Sequence, residues 1–217
     1  MNKCIILANG KPPRKSLIKF FIEKGFSTFI CADGGANSAL KMDLIPDFII
    51  GDLDSVSDSA IKKYKSVSRI IKIKRQNDTD VEKALKYAIR KKFNEAILLG
   101  AIGDRLDHSF CNMGIVIKFF NKIQVRIVSD KSMLTPYKGV VELQAIKGET
   151  ISLYGFDDKT KITSEGLKYP LKKTALPFGK RESTSNVAVK DVIRLKIERG
   201  MIFVIRDFNL LKAHGLI

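Results

Sequence analysis

Cysteine and histidine are scarce in this sequence, and long apolar runs are missing. Three cysteines, Cys4, Cys31 and Cys111, leave one thiol unpaired under any disulfide scheme. None stands in a CxxC spacing, so neither a zinc site nor a dithiol redox pair is indicated. Cys4 and Cys31 lie inside apolar, strand-like runs, where a free thiol serves as a small hydrophobe. Two histidines, His108 and His214, argue against a multi-histidine metal site. Apolar runs such as "CIILA" and "GIVI" are far too short to span a bilayer. The stretch "MNKCIILANGKPP" has a five-residue apolar core before Asn9 and Gly10 and reads as a buried strand rather than a secretory signal. A cytoplasmic protein with no membrane partner is therefore expected. No GxxxxGKS/T loop occurs, which excludes a P-loop enzyme, and no GxGxxG follows the first strand, which weakens a dinucleotide reading.

Acidic residues are outnumbered. Lys and Arg total 39 against 23 Asp and Glu, a formal net charge of +16. Such a balance raises nucleic acid as a partner. The basic residues are scattered over every segment, however, and no zinc-finger spacing or RNP-like aromatic run accompanies them. The densest patch, "KKYKSVSRIIKIKR" from Lys62 to Arg75, alternates with apolar residues as a strand would. A solvated basic surface is the preferred reading over nucleic-acid binding, and such a surface also attracts anionic nucleotides.

The first 130 residues alternate two textures. Short β-rich runs ("CIILA", "FSTFIC", "DFIIG", "RIIKI", "AILLG", "VRIVS") are separated by segments with helical spacing. "SLIKFFIEKG" repeats apolar residues at helical intervals and stops at Gly25. "DTDVEKALKYAIRKKF" opens with capping residues and places Val81, Leu85, Ala88 and Ile89 along one face. "DHSFCNMGIVIKFF" predicts another helix, with Asp107 near its start. This alternation predicts an α/β fold with a mostly parallel sheet. Beyond Asp130 the texture changes to short alternating runs with Lys-Gly and Gly-Glu turn signals, and "ERG" between two apolar runs near the end reads as a hairpin. No convincing helix stands out after residue 140. A small C-terminal antiparallel β-sandwich or barrel-like domain is expected, with domains spanning 1–135 and 136–217.

In open α/β sheets, ligands bind beyond the carboxyl ends of the strands. Asp33 follows "TFICA", Asp52 and Asp54 follow "DFIIG", Asp78 and Asp80 follow "RIIKIKRQN", and Asp104 and Asp107 follow "AILLGAIG". Any one of these could be a cap or turn residue. Taken together, the four strand ends and their DxD doublets go beyond capping. Carboxylates forced together raise one another's pKa unless a cation lies between them. Mg²⁺ is the natural candidate, since it takes hard oxygen ligands and bridges carboxylates to phosphates. Gly34, Gly35, Gly51, Gly100 and Gly103 accompany the acids and are expected to let the backbone approach a phosphate closely.

The ordered motifs "ANGKPP", "CADGGAN", "PDFIIGDLDSV", "QNDTDVEKAL", "LLGAIGDRLDHSFCNM", "TSEGLKYPL" and "STSN" resemble thiamine pyrophosphokinase over nearly the whole chain. The resemblance implies transfer of pyrophosphate from ATP to thiamine, with the thiamine hydroxyl attacking the β-phosphorus and AMP leaving. It also implies an α/β catalytic domain, a thiamine-binding β-sandwich, and a homodimer with sites shared across subunits. By the same resemblance, Asp52, Asp54 and Asp80 would hold Mg²⁺. Asp104, Arg105 and Asp107 would line the nucleotide and the transferred phosphates, while Asp33 and Asn37 would face the nucleotide. Gln76 would lie near thiamine, Tyr169 would cover its heterocycle, and Ser185 and Asn186 would hydrogen-bond its pyrimidine. Asn77 stands where the family often has Asp, with Asp78 next to it, and Val187 replaces a frequent Glu. A kinase for a different alcohol, a nucleotide hydrolase and a non-enzymatic nucleic-acid or nucleotide-binding module are the alternatives.

Overall fold

Apolar runs in the first part of the chain form one parallel sheet. Its strands are β1 (Lys3–Leu7), β2 (Thr28–Ala32), β3 (Phe48–Gly51), β4 (Arg69–Lys72), β5 (Glu95–Leu99) and β6 (Gln124–Val128). They lie in the order β4-β3-β2-β1-β5-β6, each neighbouring pair parallel. Ile5, Ile6 and Leu7 of β1 and Ile97, Leu98 and Leu99 of β5 are wholly buried. A parallel strand covered on both faces must be apolar at successive positions, which is why these strands read as continuous runs. Burial also raises the thiol pKa of Cys31 and pushes that of Cys4 up to about 12, as expected of inert core thiols. The computed structural model describes residues 2–74, 77–103 and 105–217. It divides into two compact units, one ending at Asp130 and the other spanning Lys131–Ile217.

Five helices connect the parallel strands: α1 (Lys15–Glu23), α2 (Gly35–Lys41), α3 (Asp58–Tyr64), α4 (Asp80–Arg90) and α5 (Leu106–Phe119). Helix α1 closes at Gly25, whose φ of 87° lets its N–H reach the Ile22 carbonyl while Phe26 N–H bonds to Phe21. Helix α4 starts where the Thr79 hydroxyl accepts the Glu82 N–H. Strands β1 to β4 step one way across the sheet, and β5 returns beside β1. Right-handed crossovers therefore put α1–α3 on one face and α4 and α5 on the other. Helix α4 accordingly packs across β1, β2 and β3. The basic patch expected to be a strand is divided: Lys62 and Lys63 close the last turn of α3, where cations favour the helix dipole, and among the described residues of the patch only Arg69–Lys72 is strand.

The second unit is antiparallel. Strand β7 (Ser132–Gln144) pairs along both halves of the long final strand, while β8 (Thr150–Tyr154) and β10 (Ser183–Val187) pair with each other. Val192–Asp207 is one continuous strand, β11, rather than a hairpin. Its first half also pairs with β9 (Lys161–Glu165) and its second half with β8. The register shift between Ile197 and Ile202, with Arg199 at φ 74°, is a bulge at which the strand changes partners. Turn-like residues serve a bulge as well as a hairpin, and a Cβ on Gly200 would clash with the Thr160 hydroxyl. The core comprises side chains such as Leu143, Ile151, Leu153, Ile162, Leu195 and Val204. A helix does follow residue 140: α6 (Phe208–Ala213), capped by Asp207 through a 2.8 Å bond from Leu210 N–H. With six residues and two buried side chains, Phe208 and Leu211, it is too short for its period to register in the sequence.

Candidate active site

Acids meet at the carboxyl ends of β2, β3 and β4. Asp33 leaves β2 with φ 43°, in the left-handed region that Asp tolerates better than most residues. It is 1% exposed, and its carboxylate accepts the Leu53 N–H at 2.7 Å and the Ser55 N–H at 3.0 Å. A Cβ on Gly51 would lie 2.5 Å from the same carboxylate, so glycine is required there for close approach. One turn on, Asn37 donates to the Ser55 carbonyl at 2.7 Å and accepts the Ser57 N–H at 2.9 Å. Asp33 and Asn37 thus hold the loop "GDLDSVS" in place. Burial first, and then the charge of Asp80, raise the Asp33 pKa, with the two backbone donors pulling it back in part.

Asp33, Asp52 and Asp80 each bring a carboxylate oxygen within 4.8 Å of the others. The Lys83 ammonium lies 2.9 Å from both Asp52 and Asp80. Its hydrogen bond is the main reason Asp52 titrates below the usual carboxylate range. Asp54 is not in this group of three. Leu53, at φ 68°, turns the chain between the two acids, and the Asp54 carboxylate accepts the Ser55 hydroxyl at 3.0 Å. Asp78 is occupied differently again. It accepts the Lys86 ammonium at 2.7 Å, Lys86 also binds Glu82, and Lys118 of α5 reaches Glu82 at 2.7 Å. This network ties the turn before α4 to the helices.

The loop after β5 packs against the loop after β1. Gly10 N–H donates to the Gly100 carbonyl at 2.8 Å, Lys11 N–H to Ile102 at 3.1 Å, and the Asn112 amide holds the Ala101 carbonyl at 2.8 Å. A Cβ on Gly100 would stand 2.5 Å from the Ala8 carbonyl, and one on Gly103 2.7 Å from Lys11 N. At both positions it is the protein's own backbone that comes close where a Cβ would stand. Arg105 and Asp107 are exposed and form a bidentate pair, at 3.0 and 2.6 Å. Arg105 thereby holds the Asp107 carboxyl down at about 2. Asp104 and Gln76 lie outside the described residues.

In the second unit, Tyr169 is 61% exposed, with the Lys168 ammonium 5.5 Å from its ring centroid. Asn186, by contrast, is buried. Its side chain accepts the Tyr169 N–H at 3.1 Å and donates to the Tyr169 carbonyl at 2.8 Å and to the Ser183 hydroxyl at 3.1 Å. Ser185 sits at φ 54° with its N–H on the Ser152 hydroxyl. Sequence reasoning missed Lys83; its signal was a position three residues after Asp80, on the same helix face.

A family model described as thiamin pyrophosphokinase, catalytic domain, matches residues 22–129, and one described as thiamin pyrophosphokinase, vitamin B1 binding domain, matches residues 138–202. The chain belongs to the thiamine pyrophosphokinase family. Thiamine pyrophosphokinases transfer pyrophosphate from ATP to thiamine. Thiamin pyrophosphokinase 1 of Caenorhabditis elegans is 28% identical over 195 residues, covering 83% of this chain and 79% of its own. The Bacillus subtilis thiamine pyrophosphokinase is 24% identical over 186 residues, covering 82% and 86%. Among solved structures, the thiamin pyrophosphokinase of Candida albicans superposes with a TM-score of 0.81 at 21% identity, covering 95% of this chain and 88% of that one. The Bacillus subtilis structure gives 0.78 at 20% identity, covering 94% and 99%. Both share the α/β fold with its antiparallel C-terminal region.

Proposed function

We propose that this chain carries out the family reaction with Mg²⁺, passing the pyrophosphoryl group of ATP to the hydroxyl of thiamine and releasing AMP. The observation that carries this reading is the convergence of Asp33, Asp52 and Asp80 within 4.8 Å at strand ends matched by the catalytic-domain model. Three hard oxygen donors with one ammonium among them suit Mg²⁺ rather than a softer ion. Asp52 and Asp80 would hold it, with Asp54 as the next acid on the loop. A bound Mg²⁺ would neutralise charge on the phosphate oxygens. Asp33 and Asn37 keep the acid-bearing loop in one conformation, so little reorganisation is needed when charge develops. At the exposed start of α5, Arg105 offers a guanidinium to the transferred phosphates, with Asp107 fixing its direction. Tyr169 offers an exposed ring for the thiamine heterocycle, and Ser185 would offer its hydroxyl to the pyrimidine. A cytoplasmic homodimer with sites shared across subunits belongs to the same reading.

Incubation of the purified protein with ATP, Mg²⁺ and thiamine should yield AMP and thiamine diphosphate in equal amounts. ADP formation would instead mean ordinary kinase action, and nucleotide breakdown without thiamine modification a hydrolase.

The hydrogen bonds of Asn186 recast its role. With both ends of the amide on the Tyr169 backbone, it would serve thiamine by fixing the segment that carries that ring. Loss of two hydrogen bonds worth about 1 kcal/mol each predicts up to roughly a thirtyfold rise in thiamine KM for Asn186→Ala. In a Tyr169→Ala background the same change should add little. A full additive effect in the double variant would place Asn186 in direct contact with thiamine instead.

A further inference from the structure

Lys83 is the one ammonium placed on the acid group among the described residues, and its surroundings constrain what it can do. Its side chain is 2% exposed and lies 2.9 Å from both Asp52 Oδ2 and Asp80 Oδ1. Asp78 and Glu82, the other acids at this end of α4, already hold Lys86 and Lys118. Lys83 is thereby matched to Asp52 and Asp80, while the Asp33 carboxylate is engaged by the N–H groups of Leu53 and Ser55. Three carboxylates and one ammonium leave a formal charge of −2, which one divalent ion cancels. Yet the ammonium already occupies an oxygen on each of the two carboxylates such an ion would use.

We propose that Lys83 couples cation binding to nucleotide binding at this site. Its ammonium competes with a free divalent ion for Asp52 and Asp80, so the ion is held firmly only when a triphosphate supplies further oxygens. Once the ion is in place, the same positive charge offsets negative charge that would otherwise repel the triphosphate. Binding of the two is therefore mutually reinforcing, as linkage requires. The inference rests on reading the acid group as a cation site, and its test separates the two ideas.

The test is Mn²⁺ binding to the full chain, followed by electron paramagnetic resonance, with and without an ATP analogue whose α,β-bridge is non-cleavable. Lys83→Met and Lys83→Gln preserve most of the side-chain volume, and circular dichroism establishes which variants are folded. Without nucleotide, the variants should bind Mn²⁺ about tenfold more tightly than the wild type, a coupling of ordinary size. With Mn²⁺ present, they should bind the analogue about tenfold more weakly. A purely architectural lysine would weaken both together. Mn²⁺ affinity that is unchanged or reduced in a folded variant overturns the role of Lys83 and leaves the cation site standing. If neither wild type nor variants take up Mn²⁺, even with the analogue, the cation site itself is refuted.

Discussion

Asp52→Asn is expected to lower turnover by at least about a hundredfold while the protein stays folded, because loss of a major electrostatic element commonly has that effect. The substitution keeps the volume and one carbonyl oxygen, so Lys83 retains an acceptor and the loop after β3 retains its clamp from Asp33 and Asn37. It removes the negative charge needed to hold a divalent ion against a triphosphate. That charge is well protected in the wild type: the Lys83 hydrogen bond keeps Asp52 below the ordinary carboxylate range, so it stays ionised in mildly acidic solution. AMP release followed alongside thermal unfolding checks the prediction. A folded variant with near-normal product formation would remove Asp52 from the site.

Asp33→Ala should damage both stability and turnover. Two backbone donors, Leu53 N–H and Ser55 N–H, lose their acceptor, at a cost of about 1–3 kcal/mol for each one left unsatisfied. Alanine also fits poorly at φ 43°, adding roughly 1–2 kcal/mol. Asp33→Asn retains one acceptor and suits the left-handed backbone, so it should lose markedly less stability. Urea unfolding of the three proteins provides the comparison. Equal midpoints for wild type and Asp33→Ala would show that the loop is held by something other than this carboxylate.

These expectations depend unequally on what can be read along the chain. Strands β1, β2, β3 and β5 are legible because a strand buried on both faces must be apolar at consecutive positions, and β6 because Val125 and Ile127 alternate with Gln124 and Arg126. Helix α4 is legible from Thr79 and its apolar spacing. The "ERG" segment misleads because the residues that reverse a chain also make a bulge. What decides between them is whether both flanking halves pair with the same strand, as they do with β7. Helix α6 is hidden by its length, and α2 and α3 are also short.

For the site, the acid doublets were visible in the sequence, but their grouping was not. Asp52 and Asp54 are two residues apart, yet Leu53 turns the backbone so that one carboxylate joins Asp33 and Asp80 while the other meets Ser55. Asn186 shows the same limit. A buried amide can touch a ligand or a neighbouring backbone, and only its partners distinguish the two roles.

The sequence alone determined the strand–helix alternation of the first 130 residues, the change of texture after Asp130 and the presence of acids at four strand ends. It did so because burial and capping act through neighbours a few residues away. The tertiary structure alone decided that Asp33 joins Asp52 and Asp80, that Lys83 bridges two of them, and that the Asn186 amide bonds to the Tyr169 backbone. Those partners lie far apart in sequence or depend on single backbone turns. Hydrogen-bond geometry over about 3 Å selects among acceptors that composition and spacing leave equivalent.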